Sequence, residues 1–151
     1  FLFIMNNLRK LRINPNFIPC ELKHDEECYP NGIFRFNISR IIEDIESGKL
    51  QVEKELIDVS QWFKKHCMGD VNEDHMPNVM LSKLVIQAEI KSGFFEIIDG
   101  HHRMKKALRE NVKYIDSYKL KGPQLLDYFI DEKGYRAFIG YWNDWLKQQL
   151  L

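Results

Sequence analysis

Hydrophobic and polar positions alternate most clearly in the middle of the chain. Two apolar, β-prone runs, at residues 84–90 and 94–98, flank a short turn that contains Gly93. Such runs around a glycine turn are typical of a β-hairpin. After the hairpin the apolar positions take helical spacing as far as Leu108, and residues 112–120 alternate once more. This order predicts a strand, a turn, a helix and a strand in a short βαβ-like unit.

The first third of the chain contains two shorter apolar runs. Residues 17–22 are interpreted as a strand in which Pro19 suits a sheet edge, and residues 33–36 as a second strand after a turn. Isoleucines at helical spacing then predict a helix over residues 38–47, with Ser39 as its cap.

Residues 49–77 are the least regular segment. A short helix is predicted at 60–65, and the rest is interpreted as an excursion or lid. The C-terminal part predicts a helix whose apolar face carries Phe138, Ile139, Trp142, Trp145 and Leu146. Such a face is typical of a helix that packs on its own domain. We therefore predict an α+β fold over 1–151, with a core at about 17–120 and a C-terminal helical cap at 123–151.

Composition favours a soluble globular chain. Of the 151 residues, 44% are hydrophobic and 29% are charged, a balance unlike that of disordered or membrane-embedded chains. Lysine plus arginine number 22, as do aspartate plus glutamate. No overall positive field therefore attracts nucleic acid, although a local basic face leaves that partner open. The apolar opening is too short to span a membrane, and three sparse cysteines indicate a reducing, cytoplasmic environment.

Zinc ligation is a further candidate chemistry. The residues of suitable type are Cys20, His24, Cys28, His66, Cys67 and His75. The first three are separated by three residues each and lack the tight Cys-x2-Cys knuckle of structural zinc sites. We expect free thiols and no structural zinc.

The turn after the hairpin concentrates residues that bind anions, Asp99-Gly100-His101-His102-Arg103. A strand that passes through a glycine directly into a helix directs backbone N–H groups at one point, beside the positive end of the helix dipole. Gly100 lets a ligand approach the backbone, and Arg103 offers a planar fork for phosphate. Either histidine can donate a hydrogen bond or transfer a proton. A phosphate group is the expected ligand.

Asp99 is the exception in this turn, because a carboxylate repels phosphate. It can hold a divalent cation such as Mg²⁺, orient a substrate hydroxyl, or cap the helix. A purely structural interpretation is equally open, in which Asp99 caps, Gly100 turns, and the other three residues are solvated.

Residues 97–107 resemble the signature turn of the ParB/sulfiredoxin superfamily, on the sequence Ile-Ile-Asp-Gly-His-His-Arg-Met-Lys-Lys-Ala. The resemblance implies a mixed sheet with packed helices over about residues 17–120, with an insertion at 49–77. Sulfiredoxins have a reactive cysteine where this chain has His101, so their thiolate chemistry is not expected. Chromosome-partition members have a Gly-Glu-Arg-Arg turn, so a partition role is not expected either.

The Asp-Gly-His-His-Arg variant is similar to that of the free-serine kinases of this superfamily. The likeness implies that Glu26 or Glu27 is a general base, that Asp99 positions a hydroxyl or Mg²⁺, and that His102 with Arg103 holds the transferred phosphate. An acidic loop segment is otherwise merely solvated. ATP, ADP or CTP with Mg²⁺ is the cofactor that this likeness implies.

Two classes of function stay open at this point. The first is a small nucleotide-dependent phosphotransferase or hydrolase that acts on a nucleotide or a phosphorylated small molecule. The second is a non-catalytic nucleotide-sensing or nucleic-acid accessory protein that keeps the same anion site. Aromatic surface left over on the C-terminal helix would mark a homodimer contact.

Overall fold

The computed structural model describes residues 9–66, 81 and 83–150. The elements in chain order are β1 (Cys28–Asn31), β2 (Phe34–Asn37), α1 (Ile38–Glu46), β3 (Glu53–Asp58), α2 (Val59–Lys65), β4 (Val85–Lys91), β5 (Phe94–Asp99), α3 (His101–Arg109), β6 (Tyr114–Leu120), α4 (Gly122–Leu125), a 3-10 turn (Leu126–Tyr128) and α5 (Glu132–Gln149). The predicted α+β class is confirmed. None of the described helices is both long and apolar enough to cross a membrane.

The chain forms two compact units. Of the described residues, the first unit contains 9–51, 89–95 and 121–150, and the second contains 52–66, 81, 83–88 and 96–120. Compact units of this kind also occur within one domain, so the predicted single-domain organisation stays a prediction.

In the first unit, β1 and β2 form an antiparallel pair that leads directly into α1. Asn37 is the N-cap residue, and its side chain accepts a hydrogen bond from Arg40 N at 2.9 Å. The prediction that Ser39 caps is wrong, because the helix begins one residue before Ser39. The Ser39 hydroxyl instead accepts a hydrogen bond from Glu27 N at 2.7 Å, which fastens the loop before β1.

The predicted strand at 17–22 does not form, and this segment has no regular secondary structure. Cys20 N donates a hydrogen bond to Phe129 O at 2.9 Å within the first unit. The preceding Pro19 has no N–H to continue a ladder. The second apolar run does form a strand, β2, one residue later than predicted.

The C-terminal helix α5 carries the aromatic face that the sequence predicts. Its buried large side chains are Tyr135, Phe138, Ile139, Trp142 and Leu146. The Phe138 ring packs against that of Phe129, with 5.2 Å between centroids. Trp145 is only partly buried, and its indole N–H donates to Ser92 O at 3.3 Å. The helix therefore packs its apolar face within the first unit.

The four-stranded sheet has the order β3-β6-β4-β5. β3 is antiparallel to β6, and β4 is parallel to β6. The predicted hairpin, helix and following strand are confirmed as β4, β5, α3 and β6. The predicted βαβ arrangement needs one correction, because the strand next to β6 is β4 and not β5.

The strand β3 was missed in the irregular segment. Its residues 53–56 are all exposed, and three of these four are charged, so no alternation of apolar positions reveals it. Backbone pairing with β6 at the sheet edge stabilises it instead. The helix predicted at 60–65 is confirmed as α2, which Asp58 caps. Residues 67–77 of the predicted excursion lie outside the described residues.

The core of the second unit lies between this sheet and the helices α2 and α3. Its buried members are Ile57, Val59, Val85, Ile97, Met104, Ala107 and Ile115. Val85 at the start of β4 and Met104 in the first turns of α3 are both completely inaccessible to solvent. Because both flank the β5–α3 turn, burial of apolar surface holds the turn in place.

Candidate phosphate-binding site

The five predicted turn residues lie between the end of β5 and the first turn of α3. Asp99 ends the strand, Gly100 is the N-cap residue, and His101 begins the helix. Gly100 has a φ angle of 103°, a left-handed conformation that favours glycine. A Cβ atom there would lie 2.9 Å from Val85 Cγ2 and 3.2 Å from Val85 Cα. The backbone angle and the close approach of β4 both require glycine.

The Arg103 side chain is held by two partners within the second unit. Its Nη2 lies 2.6 Å from Asp99 Oδ2, and its Nη1 donates a hydrogen bond to Leu84 O. The side chains of Arg103 and Asp99 are only 15% and 20% exposed. The Arg103 Cζ atom lies 3.3 Å from the position that a Gly100 Cβ would take. The guanidinium group therefore packs over the N-cap residue of α3.

Asp99 does not cap the helix. Gly100 is the N-cap residue, and α3 has no side-chain capping hydrogen bond, so the capping role considered for Asp99 is wrong. The ion pair with Arg103 instead explains how a carboxylate can lie beside a candidate anion site. A cation at 2.6 Å balances its charge, and a balanced carboxylate repels an approaching anion less.

The N-terminus of α3 also differs from those of the other long helices. α1 is capped by the side chain of Asn37, and α5 is capped by that of Asp131. In α3 the first helical hydrogen bond runs from Met104 N to Gly100 O at 3.0 Å. By helix geometry, the backbone N–H groups of the first turn of α3 point toward its N-terminal end, where an anion would accept hydrogen bonds from them.

The two histidines are half-buried in the first turn of α3. Burial lowers the pKa of His101, because removal from water penalises the charged imidazolium. The carboxylate of Asp99 opposes this effect, and the neighbouring His102 adds to it. His101 is therefore neutral at pH 7. A neutral imidazole still has one N–H that can donate to an anion.

The predicted general bases, Glu26 and Glu27, belong to the first unit, whereas the turn belongs to the second. Glu26 Oε1 accepts hydrogen bonds from Lys23 N at 2.8 Å and from Asn37 Nδ2 at 3.2 Å. The bond from Lys23 contributes most to a lowered pKa of Glu26, and the bond from Asn37 and the charge of Arg40 act in the same direction. A lowered pKa makes Glu26 a weaker base, and its contacts suit a residue that closes the loop before β1.

Metal ligands do not converge in the described part of the chain. There, no group of three or more His, Cys, Asp or Glu side chains could hold a metal ion. Cys20 and Cys28 are free thiols, and burial raises the pKa of the Cys20 thiol. Cys67 and His75, which the sequence analysis also considered, lie outside the described residues.

Asp99 is also the predicted ligand for Mg²⁺. This arrangement does not fit a cation on that carboxylate, because Arg103 already lies against Oδ2. Mg²⁺ requires near-octahedral oxygen coordination and would have to displace the guanidinium group. The Asp99 carboxylate is therefore a poor candidate ligand for Mg²⁺ in this arrangement.

Leu84 and Val85 are the parts of this site that the sequence analysis missed. Leu84 contributes its main-chain carbonyl oxygen to Arg103, and Val85 limits the space beside Gly100. Neither side chain has chemistry that marks a functional residue. The predicted hairpin contained the relevant signal, because a hairpin places the start of its first strand opposite the end of its second.

A cleft of about 550 Å³ lies in the first unit. Its charged lining residues are Glu21, Arg40, Asp44, Lys49 and Asp127. The Tyr128 hydroxyl donates to Asp44 Oδ2 at 2.7 Å, and burial together with this bond raises the pKa of Tyr128. Three carboxylates against two basic side chains give the cleft lining a net negative charge, which disfavours a phosphate ligand.

Comparison of the chain with protein-family models, with curated proteins and with solved structures found no match. The resemblance to the ParB/sulfiredoxin superfamily therefore stays a prediction.

Proposed function

We propose that this chain is a cytoplasmic phosphate-binding or nucleotide-binding protein of the ParB/sulfiredoxin type, and that the β5–α3 turn holds the phosphate group. The observation that carries this proposal is the N-terminus of α3. It begins at a left-handed glycine without a side-chain cap, and the Arg103 guanidinium group lies over that glycine. Backbone amides, a helix dipole and a guanidinium group at one point favour an oxyanion such as phosphate.

The charge balance of the turn supports binding without requiring a metal. Arg103 offsets the charge of Asp99, and the two contacts described above use two of the five N–H donors of a guanidinium group. Neutral His101 adds a donor without adding charge. The ligand expected from this chemistry is inorganic phosphate or the phosphate chain of ATP, ADP or CTP.

Titration of the whole chain with ATP, ADP and CTP, with and without Mg²⁺, tests the proposal. Arg103→Ala should weaken nucleotide binding by about 1.5–3 kcal/mol, because it removes charge-assisted hydrogen bonds and leaves Asp99 unbalanced. Arg109→Ala is the matched control, since it removes the same charge from the C-terminal end of α3, about 9 Å from Arg103 along the helix axis. Equal affinity in the parent and in Arg103→Ala would refute the assignment.

A more specific version of this proposal is that the chain is an enzyme that transfers a phosphate group bound at the turn. A phosphotransferase would need Glu26 or Glu27 as base, with Asp99 and His102 at the phosphate. The lowered pKa of Glu26 and its structural contacts favour the non-catalytic, nucleotide-sensing alternative. A search for product after prolonged incubation with each nucleotide decides between them, and turnover that Glu26→Gln abolishes without loss of folding would restore the enzymatic alternative.

A homodimer through α5 stays part of the proposal. Tyr141 on this helix is 63% exposed and offers aromatic surface for such a contact. Sedimentation of the whole chain at several concentrations tests it, and a monomer at every concentration would remove it.

A further inference from the structure

The Asp99–Arg103 ion pair determines which groups an anion meets at the turn. The guanidinium group lies over Gly100, where an anion bound to the first-turn amides of α3 would also lie. The same group is 2.6 Å from Asp99. An anion at the turn and the Asp99 carboxylate would therefore share one guanidinium group.

We propose that Asp99 competes with bound phosphate for Arg103, and that this competition sets the phosphate affinity of the turn. The inference rests on the proposed function. It assigns Asp99 a role that is neither catalytic nor that of a metal ligand. Asp99 acts through Arg103, because it accepts a hydrogen bond from a guanidinium N–H group that would otherwise donate to a phosphate oxygen.

The partial burial of the pair makes this competition strong. Arg103 is 15% exposed and Asp99 is 20% exposed, so water screens their attraction less than it would on an open surface. The contact with Leu84 O fixes the same guanidinium group from a second side. Arg103 therefore cannot swing fully away from Asp99 to meet a ligand without losing both contacts.

Two effects of Asp99 on phosphate must be separated. Simple repulsion acts in both backgrounds and is stronger without Arg103, because Arg103 balances the charge of Asp99. Occupation of donors acts only when Arg103 is present. A double-mutant cycle between the two positions separates the two effects by the sign of the coupling. Occupation of donors makes Asp99→Asn tighten binding more when Arg103 is present, whereas repulsion makes it tighten binding more when Arg103 is absent.

The experiment titrates inorganic phosphate into four forms of the whole chain: the parent, Asp99→Asn, Arg103→Ala and the double variant. Asparagine keeps the shape of aspartate and one acceptor oxygen, so the turn should stay folded. We expect Asp99→Asn to tighten phosphate binding about tenfold when Arg103 is present, the effect of about one released charge-assisted hydrogen bond. In the Arg103→Ala background the same change should tighten binding by a clearly smaller factor.

A second measurement checks that the effect passes through the guanidinium group. The NMR signal of the Arg103 Nε–H group should shift on Asp99→Asn before any phosphate is added. Glu96→Gln is the matched control: it removes a carboxylate from an exposed position on the same strand and should alter phosphate affinity less than Asp99→Asn does.

The outcomes separate this inference from the proposed function. Tightening in the Arg103→Ala background that equals or exceeds that in the parent background, or weaker binding by Asp99→Asn, overturns the competition while the phosphate site stands. Binding by Asp99→Asn where the parent shows none supports the competition. If neither form binds phosphate, the proposed function is refuted and the inference falls with it.

Discussion

Gly100 gives the sharpest test of how the turn is built. We expect Gly100→Ala to destabilise the folded chain for two separable reasons. Alanine in a left-handed conformation costs about 1–2 kcal/mol, and the φ angle of Gly100 is 103°. The new Cβ would also lie 2.9 Å from Val85 Cγ2 and 3.2 Å from Val85 Cα. Overpacking of this kind costs about 1–3 kcal/mol. The expected loss in the free energy of unfolding is therefore about 2–5 kcal/mol.

Gly93→Ala separates the two contributions. Gly93 has a similar positive φ angle of 83°, but nothing lies within 4 Å of the position that its Cβ would take. This control should therefore lose only the conformational part, about 1–2 kcal/mol. Urea unfolding, followed by tryptophan fluorescence, measures both variants against the parent.

Val85→Ala completes the test, because it removes Val85 Cγ2, the atom nearest to the position that a Cβ at residue 100 would take. In the Gly100→Ala background it should cost less than it does alone, so the two changes should be non-additive. If Gly100→Ala costs no more than Gly93→Ala, or if its cost adds fully to that of Val85→Ala, the packing argument for Gly100 is refuted.

Two further predictions concern the first unit and the pH dependence of stability. Asn37→Ala should lower the free energy of unfolding by about 2–3 kcal/mol, because it removes the cap on Arg40 N and a donor to Glu26 from a completely buried site. In urea unfolding this loss should exceed that of Asp58→Ala, which removes a half-buried cap with an exposed hydrogen bond. Because burial lowers the pKa of His101 below 6.5, the unfolded chain binds its proton more readily, so this residue should make stability fall as the pH drops below about 6.5. His101→Gln should flatten that part of the profile of thermal unfolding against pH, and an unchanged slope would contradict the burial argument.

Local patterns predicted the hairpin and the helices well, because their signals lie within a few residues. The β4–β5 hairpin follows from two apolar runs around Gly93, and α3 follows from apolar residues at helical spacing. The strand β3 has no such pattern. Its stability comes from backbone pairing with β6, about 60 residues away in sequence, and an exposed edge strand needs no apolar alternation.

The failures at the start of the chain have a similar cause. The apolar run at 17–22 contains β-prone residues, yet Cys20 finds its backbone partner at Phe129, more than 100 residues away. A short-range pattern cannot show whether a neighbouring strand exists to continue the ladder. The predicted cap of α1 was wrong for a different reason. Ser39 and Asn37 are both good capping residues, and only the position at which the helix begins decides between them.

At the candidate site, the sequence predicted a set of site residues but not the ion pair between Asp99 and Arg103. In the sequence motif alone, Asp99 and Arg103 are two independent functional groups. The first repels phosphate and the second attracts it. Because they are four residues apart across a strand end and one helical turn, the fold brings them to 2.6 Å. Their charges then largely cancel toward a ligand, and His101 adds none at neutral pH. Under the proposed function, phosphate affinity would therefore depend more on the orientation of the backbone amides and the Arg103 donors than on net charge. Gly100 contributes to that orientation, because its left-handed backbone connects β5 to α3.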